Sequence, residues 1–171
     1  MVVKKYILAS LAILDREYNN ALLSPDPNKA VYFSKLAIIE YCGWLEETID
    51  DIIYSYAKGK IKTAQFEDSL KGKIKKTYGF QYKKHFRPLL VHVVGIIRCE
   101  RIQRALDSNG DLATLESELD NYVEHRNKAA HTYINKVLPS YPSPSVILGS
   151  LNTVYPILKR IYSFRNNGAY V

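Results

Sequence analysis

Cysteine, tryptophan and methionine are scarce in this chain of 171 residues, which holds 2 Cys, 1 Trp and 1 Met. Cys42 and Cys99 each stand among apolar residues at helical spacing, so we expect reduced core thiols rather than a disulfide framework. Because the chain has only 4 His besides, we expect no zinc site. No metal and no other cofactor is predicted.

Long apolar runs are also lacking. No stretch of about 18 or more uninterrupted apolar residues occurs, so no transmembrane helix and no membrane partner is predicted. Residues 1–6 lack a basic-then-apolar signal peptide, which predicts a cytoplasmic protein. With 47% apolar residues, a chain of this length suits one globular domain over residues 1–171.

Acidic residues are missing from one part of the chain, the basic segment 71–87. It holds seven Lys or Arg and no Asp or Glu, and residues 58–105 around it hold 13 basic against 3 acidic side chains. Such a concentrated positive field favours a polyanion such as RNA; the alternative is an ordinary solvated lysine-rich face. The expected RNA contacts are Lys75, Lys76, Lys83, Lys84, Arg87 and, later in the chain, Lys128.

Apolar residues recur at helical spacing through most of the chain, without the alternation typical of strands. Six helical segments are predicted, covering residues 3–22, 28–58, 63–78, 88–107, 111–133 and 144–162. The second segment is apolar on more than one face, as expected of a central helix. The predicted fold is an all-α bundle of five to six helices.

Prolines and capping residues set the predicted breaks between these segments. Pro88 suits the first turn of a helix, Ser143 is placed to cap the last helix, and residues 78–82 are expected to be irregular. Pro156 is expected to kink the last helix. His92, between two valines, is expected in the core or at an interface.

The densest group of reactive side chains is the stretch EHRNKAAHTY, residues 124–133, late in the fifth segment. The leucine stripe of this segment continues to Arg126 and Tyr133, which predicts that both point inward. Asn127 and His131 are four apart and share a neighbouring face. Arg126 and His131 lie about 140° apart around an ideal helix, so we expect a bend or a second subunit to complete the site.

A buried Arg126 needs a charged partner, because a guanidinium cannot shed its proton. The second segment offers five carboxylates, namely Glu40, Glu46, Glu47, Asp50 and Asp51. Glu47 is the predicted partner, and the others are expected to be solvated. An alternative is that Arg126 and His131 form a buried structural pair.

The six residues 126–131, RNKAAH, resemble the Arg-(four to six residues)-His motif of HEPN domains, in which Asn often follows the Arg. The residues before this motif and the long helix around Trp44 are also similar to HEPN families of bacterial toxin and defence systems. The resemblance implies a HEPN-like all-α fold and a metal-independent endoribonuclease. It further implies a homodimer in which two motifs face one cleft.

Within this resemblance the 2′-OH of the RNA is the nucleophile, so no metal-bound water is required. Two His131 side chains act as base and acid, Arg126 offsets the developing phosphate charge, and Asn127 orients the phosphate or the histidine. The implied products carry a 2′,3′-cyclic phosphate and a 5′-OH.

The motif continues through Tyr133, giving an Arg-x-x-x-x-His-x-Tyr form that resembles HEPN toxins paired with nucleotidyltransferase antitoxins. In those toxins the tyrosine is adenylylated, so the resemblance implies Tyr133 as a modification target and an antitoxin as a partner. The alternative for Tyr133 is packing in the apolar stripe. The alternative for the whole chain is a non-catalytic HEPN-like module that binds RNA or a protein.

Overall fold

Helices make up nearly all the regular structure of the computed structural model, which describes residues 3–26, 28–134 and 140–166. In chain order the elements are α1 (Lys5–Leu22), α2 (Asn28–Ala57), α3 (Ala64–Lys75), a π-helical turn (Tyr82–Phe86), α4 (Arg87–Val94), α5 (Ile96–Asp107), α6 (Asp111–His131), α7 (Pro144–Ser163) and a 3₁₀ turn (Phe164–Asn166). No strand occurs in these ranges. The predicted all-α bundle is confirmed, with seven α-helices in the described residues rather than five to six.

The central helix is α2, which packs on α1, α4, α6 and α7. Its buried side chains lie on more than one face, as predicted, and include Ile38, Leu45, Ile52 and Ile53, all with 0% exposure. Burying each such side chain contributes about 1.5–3 kcal/mol. A narrow stripe of α2 remains exposed, running from Tyr32 to Asp51.

Residues 88–107 form two helices where one was predicted. α4 ends at Val94, α5 begins at Ile96, and Gly95 between them has φ of 79° and ψ of 162°. Residues other than glycine rarely adopt a positive φ, so the break depends on glycine. Apolar residues continue on both sides of Gly95, so the sequence pattern did not indicate this helix break. Directly after the break, Ile96 and Ile97 are 73% and 66% exposed.

The other breaks follow the sequence closely. α3 begins directly after Thr63 and α7 begins at Pro144 after Ser143, although neither preceding side chain hydrogen-bonds to the helix. Residues 77–81 have no regular structure, and α7 continues through Pro156. Both cysteines, Cys42 and Cys99, are buried and free, as predicted.

Candidate functional site at the end of α6

Arg126 lies on α6, one turn after Tyr122, the last large side chain that this helix buries in the core. Its side chain is 43% exposed, so it is not buried as the leucine stripe predicted. The long aliphatic part of arginine can follow the stripe while the guanidinium reaches the edge of the bundle. There Arg126 Nη2 lies 3.3 Å from Glu46 Oε1 of α2.

The partner of Arg126 is therefore Glu46, and the prediction of Glu47 was wrong by one position. One residue turns a helix by about 100°, which places Glu47 on the exposed stripe of α2, in a shallow groove between α1 and α2. Glu46 Oε1 is shielded from solvent and makes no hydrogen bond. The contact with Arg126 is thus an ion pair whose atoms are close but not aligned for a hydrogen bond.

Cys42 lies one turn before Glu46 and is 1% exposed. Its thiol contacts the carbonyl oxygen of Tyr122 at 3.7 Å. Burial raises the pKa of Cys42 to about 12, with the charge of Arg126 lowering it and that of Glu46 raising it. The thiol is therefore protonated at neutral pH and is not a nucleophile.

His85, in the π-helical turn, is a neighbour of Glu46 that the sequence pattern did not indicate. Its Nδ1 is shielded from solvent and has no hydrogen-bond partner. Burial lowers the pKa of His85, the neighbouring Lys84 lowers it further, and Glu46 acts in the opposite direction. His85 is therefore within electrostatic range of the Glu46 carboxylate that holds Arg126.

The position of His85 depends on Gly79, which has φ of 118°. A Cβ atom at Gly79 would lie 2.8 Å from His85 Cε1, so the imidazole occupies the space that any side chain would fill. No spacing in the sequence connects position 85 with Glu46 and Arg126. Tertiary packing alone brings the His85 imidazole near enough to the Glu46 carboxylate for the two to interact electrostatically.

His131 is the last residue of α6 and is exposed, as is Asn127 one turn earlier. Thr132 then adopts an extended conformation, with φ of −94° and ψ of 121°. Its carbonyl oxygen accepts a hydrogen bond from Lys35 Nζ of α2 at 2.9 Å. The exposed end of α6 is thereby tied to the amino-terminal half of α2.

Arg126 and His131 are not brought together within one chain. α6 is continuous from Asp111 to His131, so the two side chains keep the angular separation of an ideal helix. Arg126 turns toward Glu46 of α2 while His131 faces solvent, and the described residues show no hydrogen bond between them. The alternative of a buried Arg126–His131 pair does not fit this geometry.

Tyr133 is 81% exposed, which corrects the expectation that it continues the inward stripe. Helical periodicity stops applying once α6 ends at His131, so Tyr133 lies beyond the helix rather than on its buried face. His125, expected at the surface, is partly exposed, and its ring lies 5.7 Å from that of Tyr122.

The basic residues expected to contact RNA differ in their surroundings. Lys83 pairs with Glu116 of α6 at 2.8 Å, and Lys128 donates to the Ser140 carbonyl oxygen at 3.1 Å. Lys75 lines a cleft with two carboxylates of α2. The other expected contacts are Lys76 and Lys84, which are exposed, and Arg87, which is half-buried.

The π-helical turn places part of this basic segment along α6. Gln81 Nε2 donates to Asp120 Oδ1 at 2.9 Å, and Lys83 reaches Glu116. Both contacts lie one to three turns before Arg126 on α6. The positive charge of the turn is therefore beside the same helix that carries the motif.

Comparison with family models, with curated proteins and with solved structures found no match to this chain. The site is therefore described by its own residues. Within residues 3–26, 28–134 and 140–166, no three His, Cys, Asp or Glu side chains are grouped as a metal site requires. None of the described helices combines the length and the apolar character that a membrane crossing requires.

Proposed function

We propose that this chain is a metal-independent endoribonuclease of the HEPN type, acting in a toxin–antitoxin or phage-defence system. The observation that carries the proposal is the exposure of His131 and Asn127 at the end of α6, with Arg126 half-exposed before them. Groups that act on RNA must reach solvent, whereas a purely structural set would be packed inside. The resemblance of residues 126–131 to the HEPN motif supplies the reaction.

In this reaction the 2′-oxygen of the RNA forms a bond to phosphorus while the bond from phosphorus to the 5′-oxygen breaks. An imidazole accepts or gives a proton near neutral pH, so one His131 takes the 2′-OH proton. The His131 of a second copy gives a proton to the leaving 5′-oxygen. Arg126 offsets the charge that develops on the phosphate, and the products are a 2′,3′-cyclic phosphate and a 5′-OH.

A second copy is required because one chain holds Arg126 and His131 apart. Leu36 and Ile39 of α2 are 45% and 38% exposed, and they follow, by one and four residues, Lys35, whose side chain reaches Thr132. This apolar stripe therefore begins within one turn of the α2 residue that contacts the end of α6. A homodimer packed on it would bring two His131 side chains to one cleft.

Replacing Leu36 with Glu tests the interface. The variant is expected to fold, since Leu36 is half-exposed, but to sediment as a monomer and to lose cleavage. Leu22→Glu, at a residue 58% exposed at the end of α1, serves as the matched control. A Leu36→Glu protein that remains dimeric and cuts RNA at the wild-type rate would exclude this face as the interface.

Cleavage itself is tested by incubating the protein with total RNA and with tRNA in EDTA. His131→Ala and Arg126→Ala are each expected to slow cleavage about 100-fold or more, while His125→Ala, at the neighbouring histidine, retains activity. The product ends are checked for the cyclic phosphate. Intact RNA under all conditions, or equal rates in the variants, would contradict the proposal.

The basic segment is tested through the salt dependence of RNA affinity. Changing Lys75, Lys76, Lys83 and Lys84 to Glu is expected to flatten the slope of log affinity against log salt, by about 0.7 for each lost phosphate contact on a single strand. Lys83 is expected to contribute least, because it already pairs with Glu116. An unchanged slope would show that this segment does not contact RNA.

One observation favours the second candidate, a non-catalytic module that binds RNA or protein. The Arg126 guanidinium is already held by Glu46, which is what a structural arginine requires. The same cleavage assay decides between the candidates, because a non-catalytic module leaves RNA intact while still binding it.

Tyr133 is the proposed target of a nucleotidyltransferase antitoxin, and its 81% exposure supports access by an enzyme. Adenylylation beside His131 would add bulk and negative charge where the RNA phosphate is to bind. Tyr133→Phe is expected to resist modification and to stay active in the presence of the antitoxin. Modification of that variant, seen by mass spectrometry, would place the target elsewhere.

A further inference from the structure

A groove of about 500 Å³ opens at the opposite end of α2 from the motif, between α2, α3 and the end of α4. Its base is apolar and includes Tyr56 and Leu70, which are 2% and 4% exposed. An aromatic ring, a hydroxyl and an imidazole also line it, from Phe66, Ser69 and His92. A volume of this size accommodates a small organic ligand.

Phe66 is 68% exposed. Leu70, four residues later on α3, is the residue that this helix buries, and Phe66 lies beside it at the edge of the groove. An exposed phenyl ring on the wall of a groove offers a face on which a planar ring can stack.

The charged side chain that lines the groove is positive. Lys60 lines it, and no carboxylate does so among the described residues. Lys73 lies seven residues after Phe66, which is close to two helical turns, so it is on the same face of α3. Both lysines are exposed. A ligand that fits this groove therefore combines a planar ring with negative charge.

We propose that the groove binds one unpaired nucleotide of an RNA strand, with its base stacked on Phe66 and the flanking phosphates held by Lys60 and Lys73. His92, expected in the core or at an interface, is exposed and lines the groove. With Ser69 it supplies donors and acceptors for the base edge, a contact that a 2′-O-methylated strand keeps. The proposal rests on the proposed function for its ligand, RNA, and adds a binding site remote from Arg126.

Binding is measured with a short single-stranded RNA that is fully 2′-O-methylated and carries 2-aminopurine. This probe cannot be cut by 2′-OH attack, so affinity is obtained independently of catalysis. Wild type is expected to bind it and to quench the 2-aminopurine emission. Phe66→Ala is expected to weaken binding roughly 5-fold or more, the loss that removing one base–aromatic stack produces, and Phe66→Trp is expected to restore it.

Tyr6→Ala is the matched control, because Tyr6 has a similarly exposed ring, at 77%, that does not line this groove. It is expected to bind the probe like wild type. Since Phe66 and Tyr6 contribute little to the core, both variants are expected to unfold at the wild-type temperature.

Unchanged affinity in Phe66→Ala would overturn the groove proposal, even if the motif variants lose cleavage as expected. Binding that depends on Phe66 in a protein that never cuts RNA would support the groove and contradict the proposed cleavage. The groove would be assigned to a protein partner if it binds an apolar peptide while Lys60→Glu and Phe66→Ala leave RNA affinity unchanged. That result would overturn the RNA proposal.

Discussion

Replacing Arg126 with Ala, Glu46 with Gln, and both together separates a structural role of the ion pair from a catalytic one. The two side chains are 43% and 32% exposed, so solvent screens their attraction and the coupling free energy is expected to be about 0.5–1 kcal/mol. Arg126→Ala alone is expected to cost about 1–2 kcal/mol, because it also removes aliphatic packing and leaves the shielded Oε1 of Glu46 without its cation.

The free energy of unfolding in urea and the rate of RNA cleavage are measured on the same four proteins. Glu46→Gln is expected to lower stability by less than about 1 kcal/mol and to keep most of the activity. Arg126→Ala is expected to lose cleavage by about 100-fold or more. The double variant is expected to lose less stability than the sum of the two single losses, by the coupling free energy. It is not expected to recover activity, since no other cation is introduced at position 126.

Arg160 and Asp111 provide a matched control, because this ion pair is 2.6 Å long, has similar exposure and joins α7 to the start of α6. Arg160→Ala is expected to reduce stability and to leave cleavage intact in the folded protein. If cleavage follows the free energy of unfolding across all these variants, or if the double variant recovers activity, Arg126 acts only through stability and the catalytic assignment is refuted.

Three further changes test the surroundings of the site. Gly79→Ala is expected to destabilise the protein by about 2 kcal/mol or more, because of the positive φ and the clash with His85. Gly110→Ala is the control, since Gly110 has φ of 74° and no atom within 4 Å of the added Cβ, and it is expected to lose only the backbone cost of about 1–2 kcal/mol. Equal losses of the two variants in urea unfolding would refute the clash. Burial, and then the charge of Glu46, raises the pKa of Asp50 to about 6. Its ionisation is therefore resisted in the folded state, and stability is lost as the pH rises from about 4 to about 6. Asp50→Asn is expected to remove that part of the loss, about 1 kcal/mol at pH 7 after solvent screening, and parallel stability curves for the two proteins would contradict the assignment. Cys42→Ser is expected to lower stability by about 1 kcal/mol in thermal unfolding, because a hydroxyl loses more hydration on burial than a thiol, even where the Tyr122 carbonyl oxygen can accept from it. Cleavage is expected to stay intact, and a loss of cleavage in the folded variant would contradict the inert thiol.

The helical fold was predictable from the sequence because periodicity and local breaks agree. The starts of α2 at Asn28 and of α6 at Asp111 follow a proline-rich stretch and an Asn-Gly pair, and both were predicted correctly. Gly95 was missed because the residues on both sides of it are apolar. Its break is a property of backbone conformation, which a pattern of side chains does not record.

The candidate site was predictable only in part. The sequence identified the motif and the helix that supplies the partner of Arg126, but a shift of one residue decided between Glu47 and Glu46. Tyr133 was misplaced because the pattern does not show where α6 ends. The His85 imidazole packs on Gly79 of the preceding loop and comes near Glu46 through the fold, and no local signal encodes that position.

The length of α2 has a consequence for where RNA would be cut. Lys35 contacts the end of α6 while Ala57 lines the groove of Phe66, and the 22 residue steps from one to the other span roughly 33 Å of uninterrupted helix. A helix cannot shorten without breaking its hydrogen bonds, so this spacing is fixed. If one strand fills both places, the cleaved bond lies a constant distance from the base held on Phe66, roughly ten nucleotides at 3.4 Å per stacked base. The distance along the strand from the base held on Phe66 would then determine the cleavage position, as well as local sequence.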